Sequence, residues 1–425
     1  MRLLFRLCAI LLTLAATALG QSERRLDTTN MVVVGGGWGA GYADFQLLED
    51  SQKGSFGRLM ADQMPTIMPQ PQFRALGPPA IVSVDPLPGI LPATGQTVLR
   101  SLPFPIFSFN LSVPFITLSE SLNRSPVPPL VHEGDLKQTL INLVLGYPLL
   151  ILDDPPAWTQ TQYAANMAPT LVVLQLGLGD VLEAALTGEP TLITPQNSFT
   201  ADFGEVARRI RGTFAQVLVL NVPDPTDMPY FADLSHVAEL YQTTPEDLQA
   251  VFDLKSGDLV TLGGLVEIGD YLRGRRTAEL SPDAVLRSSV ASAISAAVES
   301  YNQTIQSVAV SNGFIPYDLH GLVREVRQSG IAAGSGHLGG GYLEGFYSPD
   351  GLFPTAPAHA VLANELLKLL NLTFGENFPL IDVDSVAAGE ASAELSATGI
   401  SIGSGLRAPA PPAFRGRREP GRRNR

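Results

Sequence analysis

Met31 to Val34 are four apolar residues, three of them valine, and they break into Gly35-Gly36-Gly37 with Gly39 and Gly41 close behind. This pattern predicts a strand buried on both faces that delivers the chain into a tight turn. Short apolar runs recur at residues 80–84, 170–176, 214–221 and 314–318. Between them, mixed three- and four-residue apolar spacing predicts helices over 136–145, 203–211 and 360–370. Ser281-Pro282-Asp283 predicts the start of a long helix ending at Asn312-Gly313, and Thr244-Pro245-Glu246-Asp247 predicts another start with a capping hydroxyl and early acids. Strands alternating with helices point to an α/β fold of three layers, α/β/α, around a mainly parallel sheet.

Arg2 and Arg6 precede an apolar run at 7–19 that ends in small residues before Gln21. That order predicts a signal peptide over 1–20, a secreted or periplasmic product, and no integral membrane span after cleavage. Cys8, the only cysteine, falls inside this run, so the mature chain has no disulfide, thiol nucleophile or thiolate metal site. The net charge of −13 hides a split: residues 407–425 hold seven Arg and one Glu, and residues 21–406 carry −21. A body of that charge repels phosphate backbones, which excludes nucleic acid as its partner. From residue 387 the chain turns to Ala, Ser and Gly, then to Pro and Arg, and reads as a disordered basic tail. His132, His236 and His320 stand alone, without the spacing that holds a metal. Asp153-Asp154 precede two prolines and read as a turn or cap. Short sequons occur at Asn110, Asn123, Asn302 and Asn371.

The glycine run has two chemical readings. Gly35-x-Gly37-x-x-Ala40 after a strand fits a dinucleotide fingerprint, which also needs a second strand ending in an acid about twenty residues later. Residues 55–63 read there as helix, so no cofactor is expected. The second reading is a resemblance that covers residues 31–385. Val32 to Tyr42 resembles the first block of the SGNH (GDSL-type) hydrolases. Asn110-Leu111-Ser112-Val113-Pro114-Phe115 resembles the second, Leu176-Gly177-Leu178-Gly179-Asp180 the third, and Ser348-Pro349-Asp350-Gly351-Leu352-Phe353-Pro354-Thr355 the last. Val219 to Phe231 resembles the family's strand and exit loop, and His359 to Asn364 the helix that follows its final block. The resemblance implies a flavodoxin-like domain over 27–385, with 223–280 inserted as a helical cap beside the active site.

It also implies which chemistry is missing. Gly37 stands at the place of the nucleophilic Ser, with Gly36 where an Asp precedes it. Phe115 and Gly179 stand at the places of the Gly and Asn that bind the oxyanion, and Phe353 at that of the general base. Only Asp350, the acid that orients the base, is retained. Loss of nucleophile or base alone costs on the order of a million-fold in dissected triads. The expected function is therefore a pseudoenzyme that acts by binding an unidentified ligand, with acyl esters or carbohydrates as the classes descent suggests. The alternative is a GDSL-type ester hydrolase with residual or relocated activity.

Trp38, Phe115, Asp180, Tyr347 and Phe353 are the candidate binding residues, and the aromatic ones read equally well as core filling the vacated cleft. His337 reads as a loop histidine and His359 as a structural one. Substituting Gly37→Ser, Phe353→His, Gly179→Asn and Phe115→Gly together is expected to give a folded chain with restored chemistry.

Overall fold

The computed structural model describes residues 25–75, 81–83, 90–92, 98–100, 107–146 and 157–398; the expected signal peptide, Asp153-Asp154 and residues 399–425 lie outside them. The protein is α/β, built on four parallel strands: β1 (Met31–Gly35), β2 (Leu171–Gln175), β3 (Gln216–Leu220) and β4 (Ile315–Tyr317). They lie side by side in chain order, with Met31 opposite Leu171, Val172 opposite Val217 and Ile315 opposite Leu218. On the free side of β1 the segment around Asn110 runs parallel to it, and the amides of Leu111 and Val113 donate to Val33 and Gly35. Counting that segment, the spatial order is 2-1-3-4-5 in chain order. Every residue of β1 and β2 is buried, as expected of strands covered on both faces.

Helices form where the apolar spacing predicts them. Leu136–Leu145 matches its expected bounds, capped by Asp135, and 203–211 and 360–370 lie inside Gln196–Arg211 and Ala356–Phe374. Thr244 caps Pro245–Phe252 through the amide of Asp247.

Four expectations need correction. The run at 80–84 is not in the parallel sheet: Ile81–Ser83 pairs antiparallel with Ile90–Pro92. No helix starts at Ser281. Pro282–Ala284 is a 3-10 turn and Val285–Leu286 a short strand paired to Leu259–Thr261, so the long helix begins at Ser288, whose amide Asp258 accepts. The insertion is not purely helical, because Phe231–Asp233, Leu259–Thr261 and Val285–Leu286 form an antiparallel sheet with three helices and a hydrophobic cluster of their own, extending past residue 280. The chain does not lose structure at 387: Val383–Thr398 is a helix packed on Ala356–Phe374, and Glu390 accepts the amide of Ala356. Its Ala, Glu and Leu content is helix-forming, which outweighs the low-complexity look of the composition.

Candidate functional site

β1 ends at Gly35, and the glycine turn that follows is held from behind by glutamines. Gln175, the last residue of β2, accepts the amides of Gly36 at 3.2 Å and Gly39 at 3.3 Å through its side chain. Gln160 donates to the carbonyls of Gly35 and Leu111, both at 2.8 Å, and Asn110 donates to Gly39 at 2.9 Å. These buried amides hold the turn so that Gly37 opens a short helix, Gly37–Ala40, at the C-terminal end of the sheet, where open α/β folds place their ligands.

Gly37, Phe115, Gly179 and Phe353 come from four separate stretches of chain and line one cavity with Gly36, Ile116, Gln175, Leu176, Gly177, Leu178 and Leu182. Its volume is about 10 Å³, room for a single water at most.

The cavity is small because the walls have met. A Cβ at Gly37 would lie 2.2 Å from Cε1 of Phe353, so the phenyl ring occupies the space a side chain at 37 would need. A Cβ at Gly179 would lie 2.1 Å from the carbonyl oxygen of Ile116, so there the backbone itself has closed in. Tyr42, Phe115 and Phe353 form an edge-to-face trio with centroid separations of 5.2 Å, 5.0 Å and 5.9 Å. Phe115 has φ +65°, the left-handed region where glycine is at ease and a bulky side chain is strained.

The acids are structural in their bonding. Asp350 is buried, and its Oδ1 accepts the amides of Leu352 at 2.8 Å and Phe353 at 2.9 Å. Oδ2 faces the amide of Phe45 at 3.4 Å, and Ser348 adds a hydroxyl. Burial pushes its carboxyl up to about 6 against these hydrogen bonds. Among the described residues its hydrogen-bond partners are three backbone amides and a serine hydroxyl, and none is a histidine. Asp180 is likewise buried, accepting the amide of Leu118 at 3.0 Å and the hydroxyl of Thr194 at 2.8 Å. Burial pushes it up to about 7. It pins the loop carrying Phe115 and Ile116 onto the helix that Gly179 begins.

Trp38 and Tyr347 do not line the cavity. Both are buried and pack on Phe346, at centroid distances of 6.3 Å and 5.0 Å. His337 is exposed in the hairpin of Ile331–Ala333 and Gly336–Leu338, its Nε2 3.0 Å from the carbonyl of Ser329. His359 is buried on Ala356–Phe374. His132 is half-buried, His236 is exposed, and His320 lies beside Arg324. Among the described residues no group of three or more His, Cys, Asp or Glu could hold a metal. The position where a dinucleotide site needs a second strand is the helix Phe56–Gln63.

No family model and no curated protein matches the sequence.

Sequence reasoning passed over Tyr42, Gln160 and Gln175. The signal for Gln175 was present: a single polar residue closing an otherwise apolar, buried run has to be hydrogen-bonded to something.

The bonding of Asp350 yields an expectation of its own. Asp350→Asn keeps the acceptor at Oδ1 and removes a buried charge, so stability to urea at pH 7 changes little. Asp350→Ala leaves two buried amides unpaired and costs about 1–3 kcal/mol. Equal losses in the two variants would show that the carboxylate charge, and not its acceptor geometry, matters.

Proposed function

We propose that the protein is a catalytically inactive relative of the SGNH hydrolases that acts by binding. The observation that carries this reading is the convergence of Gly37, Phe115, Gly179 and Phe353 on one cavity at the C-terminal end of a parallel sheet of flavodoxin-like order. These positions were picked out by four short blocks scattered over more than three hundred residues. The left-handed backbone at Phe115, where the family carries glycine, points the same way.

The chemistry of the cavity is that of a site without a reaction. Ester hydrolysis needs a nucleophile, a base and oxyanion donors around space for a carbonyl. Glycine at 37 offers nothing to attack with, phenylalanine at 353 carries no proton, and the space is filled. Acyl esters and carbohydrates remain the ligand classes suggested by descent, and either would have to displace the aromatic trio. A secreted or periplasmic location accompanies this reading through the signal-peptide pattern at 1–20. Within the described residues no helix is long and apolar enough to cross a membrane.

The test is turnover of p-nitrophenyl acetate by the purified chain, together with labelling by a serine-directed phosphonate. The expected result is a rate equal to buffer and no adduct. Stoichiometric labelling of one serine with ester turnover would instead establish a relocated esterase.

A further inference from the structure

We propose that the ring of Phe115 is the built-in occupant of a site for one aromatic ring, and that a small phenol- or benzyl-bearing molecule binds by displacing it. This rests on reading the cleft as a non-catalytic binding site, and it names the ligand chemistry that reading leaves open.

Three observations converge on Phe115. Its backbone is strained at φ +65°, and strain of this kind concentrates at ligand clamps and switches. Its ring is the partly exposed member of the trio, against 8% exposure for Tyr42 and 1% for Phe353. It can therefore swing outward by side-chain rotation without opening the core, whereas the other two cannot. Finally, the place it vacates is already shaped for a ring. Tyr42 and Phe353 meet it edge to face at interplanar angles of 77° and 81°, and the cavity beside it is walled by the backbone of Gly36, Gly37, Gly177 and Gly179.

The contacts choose the ligand class. Moving the ring out breaks two edge contacts between aromatic quadrupoles and exposes the faces behind them. A saturated ring of the same size restores the burial but not the edge contacts. An aromatic ring restores both. The ring is thus a competitor tethered to the chain, and the apparent affinity for a free ring is the intrinsic one reduced by the fraction of time Phe115 stays out.

The experiment is a titration of the purified chain with 4-fluorophenol, followed by 19F NMR, with cyclohexanol as the saturated competitor. Saturable binding to the unaltered chain is expected. Phe115→Gly, which suits the positive φ and removes the competitor, should bind at least about tenfold tighter, and Phe115→Trp should bind more weakly than the unaltered chain. Phe115→Ala, checked by circular dichroism, serves in place of the glycine variant if that one does not fold. Cyclohexanol should fail to displace the probe. Absence of saturable binding to the unaltered chain, affinities that ignore the residue at 115, or equal competition by cyclohexanol would each overturn the proposal. Ester turnover by the unaltered chain would overturn the non-catalytic reading and leave the ring-binding result standing, so the two failures are distinguishable.

Discussion

Gly179→Asn should destabilise the protein by about 3 kcal/mol or more, or prevent folding, because the new Cβ meets backbone and not a side chain that can turn away. The carbonyl oxygen of Ile116 would be 2.1 Å off, its carbon 2.6 Å and the carbonyl oxygen of Phe115 2.9 Å. That loop cannot retreat freely, since the amide of Leu118 is held by the buried carboxyl of Asp180. Gly37→Ser meets the ring of Phe353 instead, at 2.2 Å and 2.7 Å, and a ring can rotate or be trimmed. It should cost about 1–3 kcal/mol, and the cost should shrink when Phe353→Ala is present, giving a coupling of about 1 kcal/mol or more in a double-mutant cycle. Urea unfolding of the four chains of the cycle and of Gly179→Asn measures both. A Gly179→Asn protein within about 0.5 kcal/mol of the parent would mean that the Phe115–Ile116 backbone is not where this geometry puts it.

This clash corrects an expectation drawn from sequence. The fourfold change that puts Ser at 37, His at 353, Asn at 179 and Gly at 115 looks harmless in sequence, because three of the changes install residues that the resembled family carries there and the fourth takes a bulky ring out of a cleft. In the folded chain the space for the Asn has been taken by peptide groups, so the fourfold variant should not fold as expected. Of the four changes, Gly179→Asn is the one that meets the main chain; Gly37→Ser, Phe353→His and Phe115→Gly do not require it to move.

The limits of the sequence reading follow from what each kind of signal encodes. β1, β2 and β3 were legible because strands buried on both faces must be apolar almost throughout, whereas β4, an edge strand with no fully buried residue, was legible only as a short apolar run. The four positions that line the cavity were picked out together only through the resemblance of their spaced blocks, since no periodicity or spacing of the residues links them. The antiparallel partners of Leu259–Thr261 were not, because two- and three-residue strands are too short to show alternation, and Val285–Leu286 looked like the first turn of the helix it precedes. The helix Val383–Thr398 was missed because small helix-forming residues and a low-complexity linker share a composition. The closure of the cleft was beyond reach for another reason. That Phe353 covers Gly37 is a fact about volumes brought together from residues more than three hundred apart, and no local pattern carries it.

Acid should cost the folded chain stability through His359, and substituting it should make the chain more resistant to acid. The ring is fully buried on Ala356–Phe374, 6.0 Å from that of Phe56, and neither of its nitrogens has a hydrogen-bond partner among the described residues. Burial alone lowers its pKa to about 3 from the ordinary 6.5. Between these values the unfolded chain binds a proton at this position that the folded chain refuses, so stability is full above pH 6.5 and falls as pH drops toward 3. At pH 5 the loss is about 2 kcal/mol. Asp180 and Asp350 act in the opposite direction. Burial raises them to about 7 and about 6, so the folded chain takes up their protons first, and their contribution grows as pH falls through those values and is lost as pH rises again. The contributions run against each other, so that of His359 has to be read as a difference from the parent. His359→Leu should match or slightly exceed the parent at pH 8, because it removes two orphaned ring nitrogens and keeps an apolar side chain. Relative to the parent it should gain about 2 kcal/mol on going to pH 5. Asp180→Asn should do the reverse, losing ground to the parent as pH falls because it cannot take up the proton. Urea denaturation at pH 8, 6.5 and 5 reads all three chains. A His359→Leu curve that runs parallel to the parent across that range would mean that the imidazole is reached by water or by an acid in the folded protein, and is not the sealed, neutral group its surroundings make it.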